Sequence, residues 1–250
     1  MGTVLVSKIK YITSNAVKRT VERNQIRYYV WKNINSQYHA KISPFRLLWV
    51  NTKDIKKGLP LEKPHTVIEV RDGDWDLKAV DLFELDPRFR SLIAHFTEGV
   101  PWQETELYQS VLNLIKKKGM HYHKCTNEDE LLDRLKKVDE LYYYVKNHGY
   151  KTQSELYGGG WRGFVRRLNV PCTLEMREIN VDIDRNGEIL FVDGIHRLAV
   201  AYALNIEKVP VFVFIRHKKW QEYREYVYKN SNKVPENVKP HPDIMYLLNT

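Results

Sequence analysis

The segment Asp193-Gly194-Ile195-His196-Arg197 carries the groups best suited to bind a phosphate. A glycine lets the backbone turn sharply where a strand ends, and the first amides of a following helix point outward unpaired. A phosphate there gains the helix dipole, the free amides and a charge-assisted hydrogen bond from Arg197. Because a bare carboxylate repels phosphate, we interpret Asp193 as a Mg²⁺ ligand or as the group that orients His196. In the alternative interpretation Asp193 caps the helix and Arg197 is solvated.

A β-hairpin is predicted to deliver this turn. Two alternating runs flank Asp184-Arg185-Asn186-Gly187, and an Asn-Gly pair in that setting is a strong hairpin signal. An apolar helix follows the turn to about Asn205. The remaining elements are predicted as strands over 66–71 and 209–215 and helices over 15–34 and 127–148.

Composition restricts the class of protein. The chain has 250 residues, 43% apolar and 28% charged, which is typical of a globular protein with a proper core. No apolar run approaches the roughly 18 residues that span a bilayer, and we find no secretory signal, so we expect a cytoplasmic protein. Two cysteines, Cys125 and Cys172, make no disulfide framework and are expected to be inert thiols.

The net charge of +9 is concentrated at one end of the chain. Residues 1–60 hold 12 Lys and Arg against Glu22 and Asp54, so the other 190 residues are nearly neutral. Such an arm would dock on nucleic acid, an anionic membrane surface or an acidic partner. The alternative is a solvated basic face that aids solubility.

Breaks in the pattern suggest three regions. Residues 1–62 are predicted to form a basic, mainly helical N-terminal arm. Residues 63–215 then form the main domain, with a helical insertion at about 79–130. Residues 216–250 are predicted as a tail that begins as a helix and becomes irregular.

The stretch from Asp193 to Val213 resembles the signature of the ParB/sulfiredoxin superfamily. In that family a strand delivers a Gly-x-x-Arg or Gly-x-His-Arg turn onto a helix, and a Val-Pro-Val strand follows, here Val209-Pro210-Val211. The segment ending His148-Gly149-Tyr150-Lys151-Thr152-Gln153 is similar to the family's His-Gly-x-x-Gln turn. The resemblance covers residues 135–215 well and 66–76 loosely. It implies an α/β fold that has a small mixed sheet with helices, and nucleotide phosphates bound at the turn.

The branches of the superfamily differ in activity. Sulfiredoxins carry a catalytic cysteine where this chain has Ile195, which excludes sulfinic acid reduction. Partition proteins bind CTP and carry a DNA-reading domain after the motif, for which the roughly 35 residues after Ile215 are too few. Archaeal free serine kinases use an Asp-Gly-x-His-Arg turn, which residues 193–197 match.

The kinase branch implies further site residues. Phosphoryl transfer needs a base for the acceptor, a metal and cations, because it depends mainly on positioning and electrostatics. In that branch an acidic residue after the first strand faces the turn, so Asp74 or Asp76 is expected as the base or as a Mg²⁺ ligand with Asp193. The alternative is that these carboxylates form a turn. The other residues expected at the nucleotide are Gly194, Ile195, His196, Arg197, Gln153, Arg216 and His217.

Two further motifs are weaker. Gly158-Gly-Gly-Trp-Arg-Gly163 fits a dinucleotide fingerprint formally, but no strand precedes it; a phosphate lid bearing Arg162, Arg166 and Arg167 and a flexible linker remain alternatives. His121, His123 and Cys125 would lie on one face of an extended segment and offer a soft metal three ligands. A half-buried strand explains the same alternation.

These observations favour a nucleotide- and Mg²⁺-dependent phosphotransferase that acts on a small hydroxylated acceptor, with ATP, ADP or CTP as the nucleotide. The alternative is a nucleotide-gated or nuclease-type DNA-binding protein, since that branch shares the fold and residues 1–60 are basic. A catalytically silent nucleotide-binding scaffold is the third alternative.

Overall fold

The computed structural model describes residues 17–18, 20–60, 67–120, 122–157, 173–230 and 241–248. Within these ranges the chain is mixed α/β, with helices on an open sheet of seven strands. The strands are β1 Leu48–Asn51, β2 Lys57–Gly58, β3 Glu69–Arg71, β4 Val80–Asp81, β5 Ile179–Ile183, β6 Ile189–Asp193 and β7 Lys208–His217. The expected α/β class is confirmed at this level.

The sheet has the order β1-β7-β5-β6-β2-β4, and β3 also pairs with β7. Strand β7 runs parallel to β3 and β5 and antiparallel to β1, whereas β6 runs antiparallel to β5. The carboxyl ends of β6 and β7 therefore lie at opposite edges of the sheet. We call them the turn edge, where β6 ends at Asp193, and the hairpin edge, where β7 ends at His217.

Nine helices surround the sheet in the described ranges. Helix α1 comprises residues 17–18 and 20–30 and continues as a π-helical turn, Trp31–Asn35. The others are α2 Leu82–Leu85, α3 Pro87–Ile93, α4 Glu106–Lys118, α5 Glu128–His148, α6 Gln153–Leu156, α7 Ile195–Ala203, α8 Lys218–Lys229 and α9 Pro242–Leu248. Within the described ranges no helix is both long and apolar enough to cross a membrane.

Local sequence signals account for the central elements. The side chain of Asn127 accepts from the amide of Glu130 and caps α5, whose first turn is acidic. In the hairpin, Asp184 Oδ1 accepts from the amides of Asn186 and Glu188, and Gly187 adopts φ 91°. The predicted hairpin and the helix over 127–148 are confirmed.

The two faces of β7 build two separate cores. Val209, Val211 and Val213 point to the larger one, which includes α7 and α5. Phe212 and Phe214 point to the smaller one, which α1 covers with residues such as Val30 and Ile34.

The predicted boundary near residue 62 does not separate the arm from the sheet. Strand β1 pairs with β7, β2 pairs with β6, and Val50 and Ile55 are fully buried in the larger core. Gly58 looks like a strand breaker in the sequence, but it belongs to β2. The position favours glycine because a Cβ there would meet Leu85 Cδ2 at 2.5 Å. Residues 48–58 therefore belong to the main domain.

The predicted tail also needs correction. Arg216 and His217 end β7, and α8 packs Trp220 and Val227 into the core. The sequence predicts an irregular end to the tail because it contains several prolines. The structure instead has α9 there, with Ile244 and Leu247 buried. Residues 241–248 therefore complete the larger core.

Candidate functional site

The predicted strand-to-helix turn is present at the turn edge. Strand β6 ends at Asp193, Gly194 adopts φ 95°, and α7 begins at Ile195. A Cβ at Gly194 would also approach Ile179 Cα at 3.1 Å, so both conformation and space require glycine. The exposed Asp193 carboxylate accepts from the Gly194 amide at 2.7 Å.

Arg197 binds protein groups rather than facing solvent. Its Nη2 lies 2.9 Å from Glu178 Oε2 and donates to the Lys151 carbonyl at 2.9 Å, and its Nε donates to the Tyr150 hydroxyl at 2.9 Å. The sequence offers Arg197 as a phosphate ligand or as a solvated residue, and neither alternative includes its ion pair with Glu178. Among the described residues nothing bonds its buried Nη1, which leaves one donor for a ligand.

Gln153 enters the site through its backbone. Its amide donates to Glu178 Oε1 at 2.5 Å, which brings the predicted Gln turn beside Arg197. The Glu178 side chain is only 1% exposed, and burial raises its pKa despite the charge of Arg197 and the amide of Gln153. Glu178 precedes β5, where the sequence gives no sign of a buried acid.

His196 faces a cluster that the sequence did not predict. Its Nε2 lies 2.6 Å from the Tyr122 hydroxyl, and its ring centroid is 5.8 Å from that of His123. Arg134 of α5 donates from Nη2 to His123 Nε2 at 3.4 Å. Burial, followed by the nearby positive charges of Arg134, His123 and Arg88, lowers the pKa of His196 to about 4. The imidazole is therefore neutral at pH 7 and shares a hydrogen bond with the Tyr122 hydroxyl.

Arg88, Arg134 and His123 lie near the start of α7, and the two arginines are the charged groups among them. Arg88 of α3 holds Asp86 through two nitrogens, with Nε at 2.9 Å from Oδ1 and Nη2 at 2.6 Å from Oδ2. Arg134 of α5 has a buried Nε with no partner among the described residues. Burial and then the charges of Arg134 and Arg88 lower the pKa of His123. The arrangement suits an anion, and we call Arg88, His123, Arg134 and the α7 amides the cationic cluster.

The segment with His123 differs from the predicted extended run. Tyr122, His123 and Lys124 have φ values of 41°, 58° and 70°, so three non-glycine residues in succession are left-handed. Cys125 is buried, and His121 lies outside the described residues. In the described ranges no three His, Cys, Asp or Glu side chains are spaced to hold a metal, and the soft-metal interpretation loses its geometry.

The other predicted site residues lie at the hairpin edge. Asp76 is 6% exposed and binds Arg185 of the hairpin turn, and Asp74 binds the same guanidinium at 2.7 Å. His217 Nε2 donates to the Gly73 carbonyl at 2.8 Å. Arg216 is held by Asp243 at 2.8 and 2.9 Å.

These four residues cannot share a site with the turn. Strand β3 is parallel to β7, so the acidic loop after β3 meets the end of β7, while β6 delivers Asp193 to the other edge. A five-residue strand spans about 16 Å. The assignment of Asp74 or Asp76 as a base or Mg²⁺ ligand at the turn, and of Arg216 and His217 as nucleotide contacts there, is therefore wrong. Strand direction, which single residues do not reveal, is the reason.

Cavities are distributed unevenly between the two edges. At the hairpin edge a cavity of about 780 Å³ is lined by residues including Lys56, Trp220, Tyr223 and His241. Beside Arg197 the cavity measures only about 30 Å³. The Gly158–Gly163 run, with Arg162, Arg166 and Arg167, lies outside the described residues.

Comparisons with known proteins do not place the chain. No family model, curated protein or solved structure matches it.

Proposed function

We propose that the chain binds the phosphates of a nucleotide at the Asp193–Arg197 turn and transfers a phosphoryl group to a small hydroxylated acceptor. The observation that carries the proposal is the cationic cluster, in which Arg88 and Arg134 from separate helices lie near His196 in the first turn of α7, where no side chain of the described residues caps the helix. The resemblance of residues 135–215 to the ParB/sulfiredoxin superfamily, and of residues 193–197 to the turn of its kinase branch, supports the same activity.

The cluster has the properties that phosphoryl transfer requires. Charge on the transferred group is stabilised by fixed cations and helix amides, with little covalent work for the protein. Arg134 brings to this place a buried Nε that has no hydrogen-bond partner among the described residues, and a phosphate oxygen would satisfy it. His196 is uncharged there and acts as a neutral hydrogen-bonding group.

Asp193 takes the role first assigned to Asp74 or Asp76. It is exposed at the start of α7, and in the described residues no side chain bonds its carboxylate. It can accept the acceptor's proton or serve as the protein ligand of Mg²⁺, which commonly uses one carboxylate together with substrate phosphates. Arg197 is a positioning residue that fixes Tyr150 and Lys151 beside α7.

Ligand-induced stabilisation of the full chain tests the binding step. ATP, ADP, CTP and GTP with Mg²⁺ should be compared by thermal shift, because a ligand that binds only the folded state raises its melting temperature. Arg134→Gln should lower the affinity for the best nucleotide by about tenfold or more, the scale of a hydrogen bond to a charged group. Arg90→Gln is the matched control, since the Arg90 side chain is 41% exposed and pairs with Glu106 outside the cluster.

Transfer of a labelled γ-phosphate to a panel of small hydroxylated acceptors tests the chemistry. Asp193→Asn should keep nucleotide binding and lower turnover about 100-fold, as for loss of a general base. Nucleotide binding without transfer would favour the silent scaffold. The DNA-binding alternative requires duplex binding that weakens steeply with salt. If no nucleotide stabilises the chain, the proposal fails.

A further inference from the structure

Helix α1 has an apolar stripe on its outer side as well as on its inner side. Val30 and Ile34 are buried against the sheet. The stripe on the opposite side consists of Val17, Val21, Tyr28 and Trp31, exposed by 62%, 48%, 60% and 61%. Their spacing of four, seven and three residues aligns them along one line of the helix. We call these four residues the outer stripe.

Positive charge flanks the outer stripe. Lys18, Arg27 and Lys32 are exposed beside it, and in the described residues of α1 no exposed position is acidic. Glu22, the acid of this helix, is partly buried. The outer side of α1 is thus apolar and aromatic along its centre and cationic at its margins.

We propose that α1 docks flat on an anionic lipid membrane through the outer stripe. Helices that lie in the bilayer interface combine Trp and apolar residues with flanking Lys and Arg and enter about 5–10 Å. Trp31 and Tyr28 suit the headgroup level, since their rings are apolar with a polar end. Lys18 and Lys32 extend their ammonium groups to anionic headgroups while their stems cover apolar surface. This is docking on a surface, independent of the proposed phosphotransfer.

Two other occupants fit the stripe less well. A nucleic acid is bound by cations and stacking rings, and the aliphatic Val17 and Val21, half of the stripe, give neither. A second copy would bring Lys18, Arg27 and Lys32 against the same charges. The outer stripe also spans only about two heptads, whereas a coiled coil is indicated by three to four heptads. The membrane accounts for both the valines and the charges.

Vesicle flotation with the full chain tests the proposal. Vesicles of phosphatidylcholine alone and with about one third phosphatidylserine should be compared, and we expect binding only to the latter. Tyr28→Ser with Trp31→Ser should lower the partition coefficient by at least about tenfold through lost apolar burial. Lys18→Gln with Arg27→Gln and Lys32→Gln should lower it about 100-fold, because each cation contributes about fivefold.

Matched controls separate the stripe from general surface effects. Tyr143 and Tyr226 are exposed by 59% and 55% on other helices, so Tyr143→Ser with Tyr226→Ser should leave binding unchanged. Circular dichroism should show that every variant is folded. Val17→Ser with Val21→Ser distinguishes a membrane from a nucleic acid as the occupant of the stripe. This variant should weaken vesicle binding and leave any binding to single- or double-stranded DNA intact.

Three results would overturn the proposal. The first is absence of binding to phosphatidylserine vesicles. The second is vesicle binding that the stripe variants and the tyrosine controls affect equally. The third is a dimer in sedimentation velocity that the Tyr28 and Trp31 variants dissociate, which would assign the stripe to a second copy.

Discussion

Arg185 donates hydrogen bonds to both carboxylate oxygens of Asp76, with Nε 2.7 Å from Oδ2 and Nη2 2.6 Å from Oδ1. Its backbone amide adds a bond of 3.1 Å to Oδ2. The pair ties the loop after β3 to the hairpin between β5 and β6. Burial opposes ionisation of Asp76, but the bonds from Arg185 and the charge of His217 outweigh it and lower the pKa of Asp76 to about 2.

Replacing the two acidic residues of this loop should have unequal effects on stability. Asp76→Asn leaves the Arg185 guanidinium without its buried partner and should lower the free energy of unfolding by about 3 kcal/mol. Asp74 is 77% exposed at its side chain, so Asp74→Asn should cost less than about 1 kcal/mol. Urea unfolding of both variants measures the difference. Equal costs would show that Asp76 is not the anchor of the loop.

The neutral His196 makes stability depend on pH. Its pKa is about 4 when folded and about 6.5 when unfolded, so the unfolded chain binds the proton first as pH falls. The contribution of His196 is complete above pH 6.5 and declines as pH falls toward 4. Urea unfolding at several pH values should show this loss of stability. His196→Asn should remove the contribution of His196 to the pH dependence of the free energy of unfolding. An NMR titration midpoint near 6.5 for His196 would contradict it.

Breaking the Arg197 and Glu178 pair should destabilise the fold itself. Arg197→Ala leaves a carboxylate that is 1% exposed without its cation, and the cost of breaking such a pair is about 3–5 kcal/mol. Arg197→Met combined with Glu178→Gln should cost less than Arg197→Ala alone, because no unpaired charge remains. A double-mutant cycle in urea measures the coupling. If Arg197 were solvated or bound only a phosphate, as the sequence suggests, Arg197→Ala would cost little stability, so a stable single variant would contradict the role of the ion pair.

Removing residues 1–63 should abolish folding rather than leave a nucleotide-binding core. The deletion takes away β1, β2 and the buried Val50 and Ile55, and it exposes one edge of β7. Circular dichroism and proteolysis of the truncated chain measure the outcome. A folded product that still binds nucleotide would restore the boundary near residue 62 that the charge pattern predicts.

The sequence predicted the hairpin, the longest helix and the strand-to-helix turn, because each depends on residues that are close together in the chain. The Asn186-Gly187 pair fixes the hairpin, and the cap at Asn127 with the stripe of α5 fixes the longest helix. Gly194 marks the strand-to-helix turn because its φ of 95° and the nearby Ile179 backbone exclude a side chain. Each of these features depends on neighbours in the chain.

Contacts between segments that are distant in the chain could not be predicted from the sequence in the same way. The edge at which Asp76 lies depends on β3 running parallel to β7, which no residue of the loop specifies. The approach of Arg134 to His196 depends on how α5 packs on α7. The partner of Arg216 is Asp243, in a segment that looks irregular as a sequence.

The central position of β7 has a consequence for the order of folding. This strand pairs with β1, β3 and β5, yet it is made after all of them, and Arg216 near its end pairs with Asp243 of α9, which is made later still. Contacts of such wide sequence separation slow folding because the loops must close first. Until β7 emerges, β1 and β5 expose unpaired edges and apolar side chains. We therefore expect slow refolding after dilution from urea and a need for protection during synthesis.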